Sequence, residues 1–175
     1  SKLNLEKNKE YFSDSKFINE YISNSYAWIK LNNILVVHGG LCSEYLKYID
    51  DNNLTDKDGD EIIDYVNNKY HEYFKNINKK NLTDDNIGYN MFINYDINNK
   101  KAHNMFWCRE WGYNGIDCNE FKNILKKVDC EKMIIAHCPQ FLAKEKSKMI
   151  NFECLSEDNS FTLARIDLGM SRGFD

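Results

Sequence analysis

The chain has 175 residues, a net charge of −4, and 42% hydrophobic and 14% aromatic residues. That is enough apolar material for one packed core, so wholesale disorder is excluded. The acidic balance speaks against nucleic-acid binding, and no run reaches the ~20 apolar residues of a membrane span.

Residues 15–30, "SKFINEYISNSYAWIK", carry apolar positions at helical spacing and predict a short helix. "NILVVHGGL" follows, a buried β-branched strand that ends in His38, Gly39 and Gly40. "DDNNLTDKDGD" predicts a loop. It has the composition of a calcium loop, but Glu61 stands where the sharp turn needs Gly, and Asn67 where a bidentate Glu is required. Residues 60–80 predict an amphipathic helix with Ile62, Ile63, Val66, Tyr70, Tyr73, Phe74 and Ile77 on one side and His71 as a structural residue beside them.

Residues 81–104 are Asn-rich and loop-like. After "MFWCREWG" come a helix near 117–127, the strand "KMIIAH", and a final strand in "SFTLARIDLGMSRGFD" that runs into a Gly-bearing turn. The order of elements predicts an α/β fold in one domain. Its short apolar strands stop at a histidine, and in open α/β sheets the ligand site lies beyond the C-terminal strand ends.

Six cysteines, at positions 42, 108, 118, 130, 138 and 154, include no C-x-x-C pair. The spacing predicts free thiols and no structural zinc knot, hence a reducing, cytoplasmic compartment. The N-terminus lacks the apolar segment of a signal peptide. An endomembrane address would need a signal in a preceding segment.

"AHCPQFLAK" invites a cysteine-phosphatase reading, with a thiolate in a cradle of backbone N–H groups. The arginine such a loop needs is replaced by Lys144, no glycine intervenes, and Pro139 removes a donor. That chemistry is excluded.

A second reading pairs His38 with His137. Both end buried strands, where neutral imidazoles would converge as transition-metal ligands about 4–5 Å apart. The two glycines after His38 would let backbone approach an ion or substrate closely. Arg109 adds a planar fork suited to phosphate in a chain where only three of 23 basic residues are arginine. The alternatives are solvated histidines at strand ends and an arginine paired with Glu110 or stacked on Trp107 or Trp111.

In order, "LVVHGGL", "FWCREWG", "IIAHCPQF" and "IDLGMSRGF" resemble the second half of a calcineurin-like metallophosphatase, closest to the Shewanella-like protein phosphatases of bacteria, plants and apicomplexan parasites, and in particular to apicomplexan members. The resemblance covers residues 21 to 175. It implies that residues 1–175 form the C-terminal portion of a single metallophosphatase domain, part of a β-sandwich flanked by helices. It also implies phosphomonoester hydrolysis on a phosphorylated protein. His38 and His137 would be metal ligands, Arg109 would bind the substrate phosphate, and Gly39, Gly40 and Asp167 would support them.

The sequence departs from that pattern at Ala136 for Gly and Cys138 for Thr. The motifs D-x-H, G-D-x-x-D-R and G-N-H-E, which carry the other ligands and the general acid, are absent from the chain. Two divalent ions (manganese first, iron or zinc otherwise) would therefore be incompletely ligated. No catalytic acid is assigned, and the missing N-terminal half would be the necessary partner. Two rival expectations are hydrolysis of a dinucleotide polyphosphate or other small phosphoester, and an inactive interaction domain.

Overall fold

The computed structural model describes residues 20–21, 24–43, 56–75, 91–92, 95–96, 101–102, 104–113, 115–140, 151–155 and 162–167. Their fold is mixed α/β. Strands β1 (Trp28–Leu31), β2 (Ile34–Val37), β5 (Lys132–Ile135), β6 (Asn151–Glu153) and β7 (Leu163–Arg165) form one sheet in the order β1-β2-β5-β7-β6. Strands β2, β5 and β7 are parallel and central, while β1 and β6 pair antiparallel at the edges. A separate two-stranded ribbon joins β3 (Tyr95–Asp96) to β4 (Lys101–Ala102). The helices are α1 (Gly59–Lys75) and α2 (Cys118–Lys126), with a 3-10 turn at Met105–Trp107.

Side chains alternate across a strand, so the register assigns each residue to a face. Trp28, Val37, Ile135 and Arg165 form one cross-strand row, and all four are buried. Ile62, Val66 and Tyr70 of α1 and Phe121 and Leu125 of α2 belong to the same core. The opposite row runs Ile29, Val36, Ile134, Ala164, Phe152 across all five strands. Every member is apolar, yet Ile29 is 42% and Phe152 55% exposed. Val36 and Ile134 between them are half-buried and Ala164 is buried, so this second apolar face is exposed at its two edge strands.

Local signals explain the helix starts. Asp58 and Glu61 form a reciprocal capping box, with Glu61 N donating to Asp58 Oδ1 at 2.8 Å and Asp58 N to Glu61 Oε2 at 3.3 Å. Gly59 is required there, because a Cβ would lie 2.2 Å from the Val128 backbone. In α2, Asp117 Oδ1 accepts from Asn119 N and Glu120 N. Along α1, buried Asn67 treats β1 as a neighbouring strand would: its Oδ1 accepts from Ala27 N and Trp28 N, and its Nδ2 donates to Trp28 O.

The helix expected over 15–30 does not extend to residue 30. Trp28–Leu31 is a strand that turns back through Asn32 and Asn33 into β2. Asn32 takes φ 55°, a left-handed conformation that Asn tolerates and tight hairpins require. Residues 15–19 and the Gly-bearing turn expected after residue 167 lie outside the described residues, as do most of 81–104. The expectation of free thiols is overturned for four of the six cysteines: Cys42 bonds to Cys108 and Cys118 to Cys154, while Cys130 and Cys138 are free and buried. Cysteines far apart in sequence meet when loops fold back, and spacing alone does not reveal that. The thiol argument for a reducing compartment falls with it. Among the described residues no helix is long and apolar enough to cross a membrane.

Candidate functional site

The three parallel strands end together. Val37 pairs with Ile135, and Ile135 with Arg165. The next residues stay in register, since Ala136 N donates to His38 O and Ile166 N to Ile135 O, both at 2.9 Å. His38, His137 and Asp167 are therefore gathered at one C-terminal edge of the sheet, where α/β folds place ligand sites.

His137 leaves the strand through a strained turn. Its φ is +64°, and Cys138 N donates back to Ala136 O at 2.7 Å, a γ-turn with His137 at its apex. A non-glycine residue held there costs on the order of 1–3 kcal/mol and marks a position fixed by its surroundings. The turn swings the imidazole toward His38. His137 Nδ1 lies 3.2 Å from His38 Nε2, and the ring centroids are 4.9 Å apart.

Two nitrogens at metal–nitrogen distances near 2.0–2.1 Å, on adjacent corners of a coordination polyhedron, sit about 2.9–3.4 Å apart. The observed separation fits that geometry. Burial holds both imidazoles below the usual histidine range, with Asp167 opposing it. His137 is lowered to about 4 by burial first, then by the charges of His38 and Arg109. Both rings are therefore neutral at pH 7, the form that binds a metal.

Arg109 reaches the same place. Its Nε donates to His137 Nε2 at 3.4 Å, and its guanidinium carbon lies 5.5 Å from the Trp107 ring centre. Trp107 also touches His137, ring centroids 4.8 Å apart. Of the alternatives for Arg109, stacking on Trp107 is found and an ion pair with Glu110 is not. Glu110 instead accepts from Ser43 N at 2.8 Å and Ser43 Oγ at 2.7 Å, joining the Arg109 loop to the segment after His38.

That junction explains the glycines. A Cβ on Gly39 would lie 3.0 Å from backbone atoms of Cys108 and Met105, and Gly40, at φ +123°, would press one to 3.1 Å from Trp111. Among the described residues, what the two glycines admit is the Arg109 loop. The Cys42–Cys108 disulfide and a bond from Trp111 Nε1 to Leu41 O (2.8 Å) fasten the same two segments.

Sequence reasoning missed Arg165. It is 1% exposed and ion-paired with Glu153, its Nε donates to Trp111 O at 2.6 Å, and its Nη2 donates to Tyr113 O at 2.7 Å. Gln140, fully buried, donates from Nε2 to Gly112 O at 3.3 Å and Cys138 O at 2.6 Å. These two residues hold the backbone that follows Arg109 and His137. Their only sequence signal was a scarce arginine inside an apolar strand. His71 is structural, as expected, with Nε2 2.7 Å from Ser25 O.

The donor atoms brought together here are two imidazole nitrogens, one each from His38 and His137. Among the described residues, one group of three metal-capable side chains lies within 4.8 Å: Cys42, Cys108 and Glu110. Its sulfurs are already bonded to each other and its carboxylate to Ser43, so it does not compete with the histidines. Among the described residues, no carboxylate oxygen lies within 4.8 Å of both imidazoles. A cavity of about 450 Å³ between β1 and α1 is lined by none of the candidate residues.

Comparison with known proteins bears on this arrangement. No family model matches the chain, and no curated protein matches it. Solved structures do. The chain is similar to a cold-active protein tyrosine phosphatase (TM-score 0.53, 18% identity), with 86% of this chain and 35% of that chain covered. It is also similar to the cold-active protein-tyrosine phosphatase of a psychrophile Shewanella species (TM-score 0.52, 17% identity), with 86% and 36% covered. The fold is thus a mixed α/β arrangement similar to part of the fold of those phosphatases. The chain spans about a third of the length of the phosphatases it matches.

Proposed function

We propose that the chain contributes His38, His137 and Arg109 to the active site of a metal-dependent phosphoprotein phosphatase, within a domain completed by further chain. The observation that carries this reading is the meeting of two imidazoles and a guanidinium at the C-terminal edge of three parallel strands. The likeness in fold to part of a protein tyrosine phosphatase supports it.

Divalent ions bound at such a site supply Lewis-acid charge and a nucleophile at neutral pH. Manganese is the first expectation, with iron and zinc also suited to imidazole. His38 Nε2 and His137 Nδ1 would hold one ion. Arg109 would bind two oxygens of the transferring phosphoryl group and stabilise the charge that develops there. Among the described residues, no bridging carboxylate stands at the pair, and no general acid is assigned. The apolar side chains exposed on the edge strands, Ile29 and Phe152, are where the rest of a phosphatase domain would pack.

Arg109→Lys in the full-length protein tests the reading, because lysine keeps the charge but loses the fork. The expected result is a fall of about 10-fold or more in kcat/KM for a phosphopeptide, with bound metal unchanged. Equal loss of metal and activity would mean that Arg109 supports the fold instead.

A further inference from the structure

Trp107 lies between the two halves of this site without being a ligand to either. Its indole meets the His137 ring at 4.8 Å between centroids and lies 5.5 Å from the Arg109 guanidinium carbon. It closes the 3-10 turn Met105–Trp107, whose last N–H donates to Asn104 O at 2.9 Å, so its backbone is set two residues before Arg109. The side chain is 49% exposed, and Trp28 and Trp111, at 2% each, do the core packing. Burial therefore gives a weak account of Trp107, while among the described residues its two ring contacts are both to the site.

The physical consequence concerns Arg109. A long side chain at a loop has several rotamers of similar energy, and ordering it costs conformational entropy. Its single contact to His137, at 3.4 Å, is long for a hydrogen bond and does little alone to select one rotamer. An indole face beneath the guanidinium attracts the cation through its quadrupole and removes that freedom before ligand arrives. The same ring also meets the His137 imidazole, at 4.8 Å between centroids.

From this geometry we infer that Trp107 is a positioning residue that pre-orders Arg109 beside His137 for phosphate. The inference rests on the phosphatase reading above, and it assigns Trp107 to the phosphate rather than to the group esterified to it.

The test uses the full-length protein with manganese, as wild type, Trp107→Phe and Trp107→Ala. Three quantities are measured: the dissociation constant for inorganic phosphate by calorimetry, KM and kcat for p-nitrophenyl phosphate, and bound manganese. Trp107→Ala is expected to weaken phosphate binding and raise KM by about 5- to 10-fold, with kcat within about 3-fold and manganese unchanged. Trp107→Phe keeps a π face and is expected to stay within about 3-fold of wild type in all three. The inference is overturned if the alanine variant binds phosphate as wild type does. It is equally overturned if KM rises while phosphate binding holds, which would make Trp107 a surface for the aryl group. Loss of manganese in both variants would make it a structural support and overturn it too. Wild-type protein that neither binds phosphate nor turns over the ester would sink the phosphatase reading itself.

Discussion

His137 Nδ1 lies 3.2 Å from His38 Nε2, although the two residues are 99 positions apart in the chain. The contact depends on β2 and β5 being parallel neighbours that end in register, and on the γ-turn that aims His137 sideways. In full-length protein, His38→Ala or His137→Ala is expected to lower bound manganese by at least one equivalent per chain, measured by metal analysis after gel filtration. Full retention in both variants would remove the pair from the metal site.

The turn at His137 makes its own prediction. Replacing Ala136 by Gly leaves the imidazole in place but gives the unfolded chain more freedom, so a loss of about 0.4–1 kcal/mol is expected in chemical denaturation. His137→Gly should relieve backbone strain at φ +64° while removing the ligand. Stability should hold or rise in that variant while manganese is lost, and this separates strain from ligation.

Arg165 and Glu153 form a largely buried pair that also carries the carbonyls of Trp111 and Tyr113. Removing one partner of such a pair leaves the other uncompensated. Arg165→Met is expected to cost about 3–5 kcal/mol in denaturant unfolding. The loss should exceed that of Lys30→Met, whose exposed partner Asp60 contributes about 1 kcal/mol or less.

The Cys42–Cys108 disulfide spans 66 residues. On chain-entropy grounds its loss destabilises by up to about 4 kcal/mol. A reductant should therefore lower the Tm of the wild type and leave a Cys42→Ser, Cys108→Ser, Cys118→Ser, Cys154→Ser variant unchanged. A wild-type Tm indifferent to reductant would mean that the pairs do not form in solution.

Burial raises the thiol pKa of Cys138 and of Cys130, partly opposed by Arg109 for the first and Lys30 for the second. Both stay protonated and unreactive near neutral pH, so iodoacetamide at pH 7.5 should label neither rapidly in folded protein. The sign for stability follows. As pH rises past about 8.5 the unfolded chain loses its thiol protons first, so the folded state binds more protons and stability falls. A Cys130→Ala, Cys138→Ala variant should show a shallower decline between pH 8 and pH 10.

What could be read from the sequence was the set of strongly patterned elements: β2, β5, β7, α1 and the span of α2. Their apolar runs or helical stripes are longer than their ambiguities, and their histidine endings pointed to one sheet edge. Strand β1 was lost because "SNSYAWIK" continues an apolar spacing that also suits a helix, and only Asn32 and Asn33 signal the hairpin. Strand β6 has three residues, too few for any period to show. The disulfide partners, the left-handed turn at His137 and the role of Arg165 are tertiary facts. Each depends on which segments pack together, and no local pattern encodes them.

The most direct measurement compares p-nitrophenyl phosphate hydrolysis, with manganese, by residues 1–175 alone and by the same chain mixed with a polypeptide that supplies the proposed rest of the domain. Two imidazoles and one guanidinium cannot complete a two-metal site, so no turnover is expected from residues 1–175 alone. Metal-dependent turnover is expected on mixing, lost with His137→Ala. Metal-dependent hydrolysis by residues 1–175 alone, abolished by His137→Ala, would contradict this expectation.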